Sequence, residues 1–224
     1  MAAQQAQIAP PRPGPGRRVQ LAAKRAVDVA VAAIALVVLS PLMLVIALLI
    51  VLTTGPPVLF RHRRLGRRGQ EFTLLKFRTM RGDPPPQDRP LDDEQRITAL
   101  GRALRALTLD ELPELINVLR GELSLVGPRP LLPEYRELYT PEQWRRHALP
   151  PGMAGPALAA GRNALDWEDK LAADVWYVDH WSLWLDAKVL AQSVWRVLRR
   201  DGVSAEGHAT MPRFEGTRSR LDGK

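Results

Sequence analysis

Residues Val29 to Phe60 read VAVAAIALVVLSPLMLVIALLIVLTTGPPVLF, 32 positions without one charged side chain. About 20 apolar residues suffice to cross a bilayer, so this stretch decides how the chain meets a membrane. It is too long for a cleaved signal peptide and starts too late, behind a Pro/Gly-rich tail (Pro10, Pro11, Pro13, Gly14, Pro15, Gly16). On its N-terminal side, residues 1–28 carry Arg12, Arg17, Arg18, Lys24 and Arg25 against Asp28, a net of +4. On its C-terminal side, residues 61–81 carry Arg61, Arg63, Arg64, Arg67, Arg68, Lys76, Arg78 and Arg81 against Glu71, a net of +7. Lys/Arg-rich flanks stay on the cytoplasmic side, and here both flanks qualify. A single crossing must put one of them on the wrong side. Ser40-Pro41 lies mid-segment, where proline removes a backbone donor and kinks a helix. Two topologies are therefore open: one crossing, or a helix that enters, breaks at Ser40-Pro41 and returns to the same face.

The charge map also excludes other classes. The 224-residue chain carries +8, so everything outside the two basic blocks sums to −3. A nucleic-acid binder would spread its basic surface over the fold. A hydrophobic content of 46% argues against disorder. The absence of cysteine excludes disulfides, Cys-ligated zinc and thiol catalysis.

From Phe60 onward the sequence is that of a folded domain, α+β and predominantly helical. Glu71 to Arg78 reads as a strand. Gly82 to Pro90 is a proline-rich loop. Apolar spacing predicts helices over Ile97–Leu107 and Glu111–Arg120, the second stopped by Gly121. Gly127-Pro128-Arg129-Pro130 is a rigid loop, Pro133–Ala148 a polar helix, Pro150–Asn163 a long loop, and Trp167–Arg200 mostly helix. Trp176, Trp181, Trp184 and Trp195, with Arg196, Arg199 and Arg200, fit either amphipathic helices in a membrane interface or aromatic core packing with a solvated basic end.

The densest chemical signal is Thr108-Leu109-Asp110-Glu111-Leu112-Pro113. By itself the pattern also fits a helix start: a Thr108/Glu111 capping box, or Asp110 as N-cap with Pro113 in the first turn. Its surroundings favour chemistry. Arg102, Arg105, Arg129, Lys76 and Arg78 cluster around it in sequence, and arginine forks match phosphate oxygens. Vicinal carboxylates can hold Mg²⁺, and a carboxylate can attack phosphorus. Acid pair, cations and membrane segment together point to phosphoryl transfer involving a membrane-bound phosphate.

These residues resemble the monotopic phosphoglycosyl transferases, the bacterial sugar transferase family that begins glycoconjugate assembly on polyprenyl phosphate. The matching motifs are Lys24-Arg25-x-x-Asp28, Ser40-Pro41, Gly55-Pro56-Pro57-Val58, Lys76-Phe77-Arg78-Thr79-Met80, Leu109-Asp110-Glu111-Leu112-Pro113, Asn117-Val118-Leu119-Arg120-Gly121 and Gly127-Pro128-Arg129-Pro130-Leu131-Leu132. Pro151-Gly152-Met153, Gly161-Arg162-Asn163 and Leu185-Asp186-x-Lys188 continue the match, which spans about residues 20–212. The resemblance implies a re-entrant membrane helix over 21–60, broken at Ser40 and Pro41, and a cytoplasmic catalytic domain over 61–212. Interfacial amphipathic helices complete this fold, and residues 1–20 and 213–224 are tails, disordered and flexible respectively. It places the protein on the cytoplasmic face of the bacterial inner membrane.

The implied reaction is transfer of a sugar-1-phosphate from a UDP-sugar to polyprenyl phosphate, releasing UMP, in ping-pong fashion. The resemblance makes Asp110 the nucleophile. Glu111, with Asp110, becomes the Mg²⁺ site. Lys76, Arg78, Arg105, Arg129 and Arg162 become phosphate or substrate contacts. Downstream glycosyltransferases are expected partners, and nucleic acid is not. The chain resembles the family's minimal form, without the multi-span N-terminal domain of some relatives. Two features qualify the match. Ala154, Leu158 and Ala160 stand where members carry Thr, Gln and Asn, which removes three polar contacts near the nucleotide. Gly202-Val203-Ser204-Ala205-Glu206-Gly207-His208 resembles the tail of bacillosamine-type members and favours an N-acetylated amino-sugar donor. A different class of function, a non-catalytic basic adaptor on anionic lipid, would need the basic blocks but not Asp110.

Overall fold

The structure is a computed structural model that describes residues 15–81, 96–157, 166–199, 214 and 216. The apolar segment forms most of α1 (Pro15–Thr54), a 40-residue helix. Among the described residues it is the one helix long and apolar enough to cross a membrane. Residues 15–20, expected in the tail, are its first turns. Proline presets the helical φ at such a start, and Arg17 donates to the Val178 carbonyl at 2.9 Å. The helix also runs on through Ser40-Pro41, where a break was expected. Pro41 cannot donate to the carbonyl of Val37, four residues back. The Ser40 hydroxyl donates to that carbonyl instead, at 2.8 Å.

One stripe of α1 lies on the rest of the protein. Lys24, Asp28, Ala32, Ile46 and Ile50 are buried at helical spacing, while Val37, Val38, Leu44, Leu48 and Leu52 face outward. The stripe meets two clusters. Ala32 joins Leu74, Leu115, Val118, Leu125, Val126, Tyr177 and Trp181. Ile46 and Ile50 join Phe77 and Leu104.

The second basic block is a strand, β1 (Leu59–Leu65), that reading for charge alone had hidden. It pairs antiparallel with β2 (Glu71–Phe77), the expected strand, placing Arg64 opposite Phe72, His62 opposite Leu74 and Phe60 opposite Lys76. Alternation turns Arg61 and Arg63 outward and His62 and Arg64 inward. Next comes α2 (Ala99–Ala106), with the Thr98 hydroxyl accepting from the Gly101 amide at 2.8 Å. A 3₁₀ turn, Leu109–Glu111, leads to α3 (Glu114–Arg120), which ends on Gly121 at φ +84° as expected of a glycine stop.

The stretch read as one polar helix, 133–148, divides into 3₁₀ turns Pro133–Leu138 and Arg145–Ala148 around a single-turn α4 (Pro141–Trp144). Pro141 and the Thr140–Gln143 capping box force a new start there. Part of the expected 150–163 loop is β4 (Gly152–Ala154), parallel to β3 (Ser124–Val126). A side chain at Gly152 would strike the Gly127 amide, so this pairing needs glycine. Helices α5 (Trp167–His180) and α6 (Leu183–Arg199) close the domain. Phe214, expected in a flexible tail, is buried among Tyr135, Tyr139 and Trp167. The loop 82–90 and the tail motif 202–208 lie outside the described residues.

Candidate active site

The acid pair sits on the 3₁₀ turn between α2 and α3, and neither carboxylate caps a helix. Thr108 makes no side-chain cap, and Pro113 is the N-cap of α3. Thr108 itself adopts the left-handed region, φ +57°, and its buried hydroxyl has no partner. A β-branched residue in that region is strained, and such strain persists where the surroundings enforce it.

Asp110 is 9% exposed and Glu111 is equally buried. Lys76, from the end of β2, donates to Glu111 Oε1 at 2.6 Å and lies 3.2 Å from Glu114 Oε1. Arg129 donates to the same Glu111 oxygen at 2.9 Å. Burial alone would push the Glu111 carboxyl up, but these two cations overcome it and hold the carboxylate well below its usual range. Burial, and then the Glu111 charge, raises Glu114 to about 7. Burial and Glu111 also raise Asp110, while Lys76 and Arg105 pull it back. Asp110 is thus a desolvated carboxylate beside an anion, facing cations that have not neutralised it, which suits attack on phosphorus.

The scaffold that brings these groups together is specific. The Asn117 side chain, fully buried, accepts from the Leu75 amide at 3.0 Å and donates to the Thr73 carbonyl at 2.8 Å. It acts as an extra strand partner that fixes α3 against β2. The loop carrying Arg129 is pinned on both sides. Lys24 donates to the Val126 carbonyl at 2.9 Å, and Arg146, in a buried pair with Asp174, donates to the Arg129 carbonyl at 2.6 Å.

The other sequence candidates divide. Arg105 lies near the pair and donates to the buried Thr79 hydroxyl at 2.9 Å. Arg78 is turned toward the membrane helix, where it donates to the Thr54 carbonyl at 2.9 Å and also to the Gly55 carbonyl. It therefore caps the C-terminus of α1. Ser40 and Pro41 lie far along α1, exposed. Arg162 is outside the described residues.

A small pocket is lined by Arg64, Leu74, Lys76, Glu114, Arg129, Pro130 and Gly152, and two of these side chains, Lys76 and Arg129, are the ones that hold Glu111. Arg64 and Glu114 were not singled out in the sequence. Strand alternation across Arg61–Leu65 was the signal that could have separated Arg64 from its outward neighbours. No three acids gather as a metal cage among the described residues. Mg²⁺ does not require one, since it commonly takes one or two carboxylates and completes its shell with phosphate and water. Asp110 and Glu111, adjacent on one turn, fit that donor set.

Residues 19–200 match the family described as bacterial sugar transferase. A Bacillus subtilis protein described as the uncharacterized sugar transferase EpsL is 47% identical over 194 residues, covering 87% of this chain and 96% of that one. The UDP-glucose:undecaprenyl-phosphate glucose-1-phosphate transferase of Caulobacter vibrioides is 40% identical over 80% of this chain and 70% of its own. The UDP-N-acetylgalactosamine-undecaprenyl-phosphate N-acetylgalactosaminephosphotransferase of Aeromonas hydrophila is 35% identical over 78% of this chain and 43% of its own.

Proposed function

We propose, on the premise that the chain belongs to the bacterial sugar transferase family, that it acts through a covalent phosphosugar on Asp110. It is a polyprenyl-phosphate phosphoglycosyl transferase. A carboxylate oxygen of Asp110 attacks the sugar-bearing phosphorus of a UDP-sugar. The bond to the bridging oxygen breaks and UMP leaves with the electron pair. An oxygen of polyprenyl phosphate then attacks the same phosphorus, and the Asp110 carboxylate is released. Arg129 and Lys76 hold the phosphate oxygens, and Glu111 orients both cations. Mg²⁺, held by Glu111 with Asp110, would offset charge on the transferring phosphate. The observation that carries this reading is the buried, uncapped Asp110 beside an acid already neutralised by two cations.

The donor is a UDP-sugar. An N-acetylated amino-sugar is the reading favoured by the resemblance at 202–208, and the Aeromonas relative's printed substrate is of that kind. The protein sits on the cytoplasmic leaflet, with α1 entering and leaving on one side and α5 and α6 contributing interfacial surface. Support comes from the two ends of α1. Lys24 to Ala32 and Ile46 to Thr54 both rest on the same polar domain, which cannot occupy the hydrocarbon between them.

The test is UMP release in detergent or nanodiscs with UDP-glucose, UDP-galactose and UDP-N-acetylgalactosamine, each with polyprenyl phosphate and Mg²⁺. Asp110→Asn is expected to lower the rate on the order of a thousandfold or more, the scale of a lost nucleophile. Wild-type protein given donor alone should carry the phosphosugar mass on the peptide containing Asp110. Robust turnover by Asp110→Asn sinks the covalent route.

A further inference from the structure

We infer that Arg64 is a further substrate-binding residue of this site, gripping a phosphate oxyanion together with Arg129. The inference rests on the phosphoryl-transfer reading above and assigns a cation that reading does not use.

Three observations converge. First, position: strand alternation places Arg64 on the inner face of the hairpin. The Leu65 amide is tied to the Leu131 carbonyl at 2.9 Å, which brings the end of β1 against the Arg129 loop. Arg64, Arg129 and Lys76 line one pocket. Second, pairing: Lys76 is claimed by Glu111 and Glu114, and Arg129 by Glu111. No ion pair to Arg64 occurs among the described residues. Among the described residues its side chain has one hydrogen-bonding contact, from a terminal nitrogen to His62 Nδ1 at 3.1 Å, a ring that burial and the nearby Arg64 charge bias toward neutrality. Third, cost: Arg64 Nε is buried and has no partner. Arg64 is partly desolvated and faces the Arg129 guanidinium; Glu114 on the pocket wall and Glu111 offset only part of that cost and leave the Arg64 pKa lowered to about 10, and an anion between the two guanidiniums would offset more of it. An arginine fork matches two phosphate oxygens, so a phosphate oxyanion entering the pocket that Arg64 and Arg129 share would compensate both charges.

Such an oxyanion has two sources in this reaction, the donor diphosphate and the polyprenyl phosphate. Initial rates of UMP release by the full chain in nanodiscs separate them, with each substrate varied in turn for wild type, Arg64→Met and Arg64→Lys. The expected result for Arg64→Met is a KM raised about tenfold or more for one substrate, with a smaller change in kcat. A raised donor KM, with loss of the melting-temperature rise given by UDP, assigns the diphosphate. A raised acceptor KM assigns the lipid phosphate. Should Arg64→Met melt early, Arg64→Lys keeps the charge and most of the stem but loses the fork. Its KM must also rise for the inference to stand. Both KM values within twofold of wild type in an active enzyme overturn the inference alone. A wild-type chain that releases no UMP from any UDP-sugar overturns the transfer reading as well.

Discussion

His147 is buried in the 3₁₀ turn after α4, with Nδ1 3.1 Å from the Gly66 carbonyl and Nε2 without a partner. Burial, and then the Arg146 charge, lowers its pKa to about 3. The neutral ring is therefore part of the native packing, edge-on to Tyr139. The unfolded chain takes up a proton near pH 6.5, but the native chain does not until near pH 3. The contribution is complete above 6.5 and is lost as pH falls from 6.5 toward 3, by up to about 1.4 kcal/mol per pH unit. Glu114, raised to about 7, takes up its own proton in the native state over the same window and opposes this loss. The His147 contribution is therefore the difference in the pH slope of melting temperature between wild type and His147→Phe from pH 6.5 to 5, and the variant should lose less stability on acidification than wild type does. An unchanged slope refutes the assignment. The same residue-scale logic explains the acid pair. Sequence alone could not choose between caps and chemistry for Thr108 to Pro113. That choice depended on the left-handed Thr108, which deprives the turn of its side-chain cap and leaves both carboxylates facing cations from elsewhere.

At the scale of elements, α1 is the part whose sequence said most. Its apolar run and its flanks registered in the structure, whereas its proline did not break the helix. The meaning of the flanks changed, however. Lys24 is buried against Asp186 at 2.7 Å, and Arg25 donates to the Val118 and Leu119 carbonyls at the C-terminus of α3. Charges counted as leaflet anchors therefore also dock helices, because a carbonyl end or a carboxylate attracts them as lipid phosphate would. β1 was illegible for a related reason, since its alternation is written in arginine and histidine rather than in apolar residues. The topology has a direct test, because the chain contains no native cysteine. Residues 24 to 54 would span about 45 Å as a straight helix, more than the roughly 30 Å of hydrocarbon, yet both ends hold the same domain. Val19→Cys, before the apolar run, and Arg63→Cys, after it and 76% exposed in its side chain, should react with an impermeant maleimide from one side only. Labelling from opposite sides establishes a crossing.

At the scale of the whole molecule, the question is where the water–lipid boundary meets the protein. The apolar run begins at Val29, so the boundary lies near the last charged residues of α1, Lys24 to Asp28. Two contacts carry that level onto the C-terminal helices. Arg17 reaches the Val178 carbonyl near the end of α5, and Lys24 reaches Asp186 in the first turn of α6. Beside these contacts stand Trp176 and Trp184, the latter 79% exposed, and Trp195 lies farther along α6 with the Arg199 guanidinium 4.5 Å from its ring centre. Trp181, between them, is instead buried and donates to Asp186 at 3.1 Å. Core packing claims one of these four rings and leaves three outside. An indole in a membrane interface keeps its body in lipid and its N–H in water, and these three are the rings free to do so. Brominated-lipid quenching reads this directly. In nanodiscs carrying lipids brominated high on the chain, most of the quenched tryptophan emission should come from these three rings. Trp176→Phe, Trp184→Phe and Trp195→Phe combined should remove that fraction, whereas Trp181→Phe should leave it intact. If the triple variant quenches as wild type does, the exposed face of α5 and α6 looks into water, and α1 alone holds the domain to the membrane.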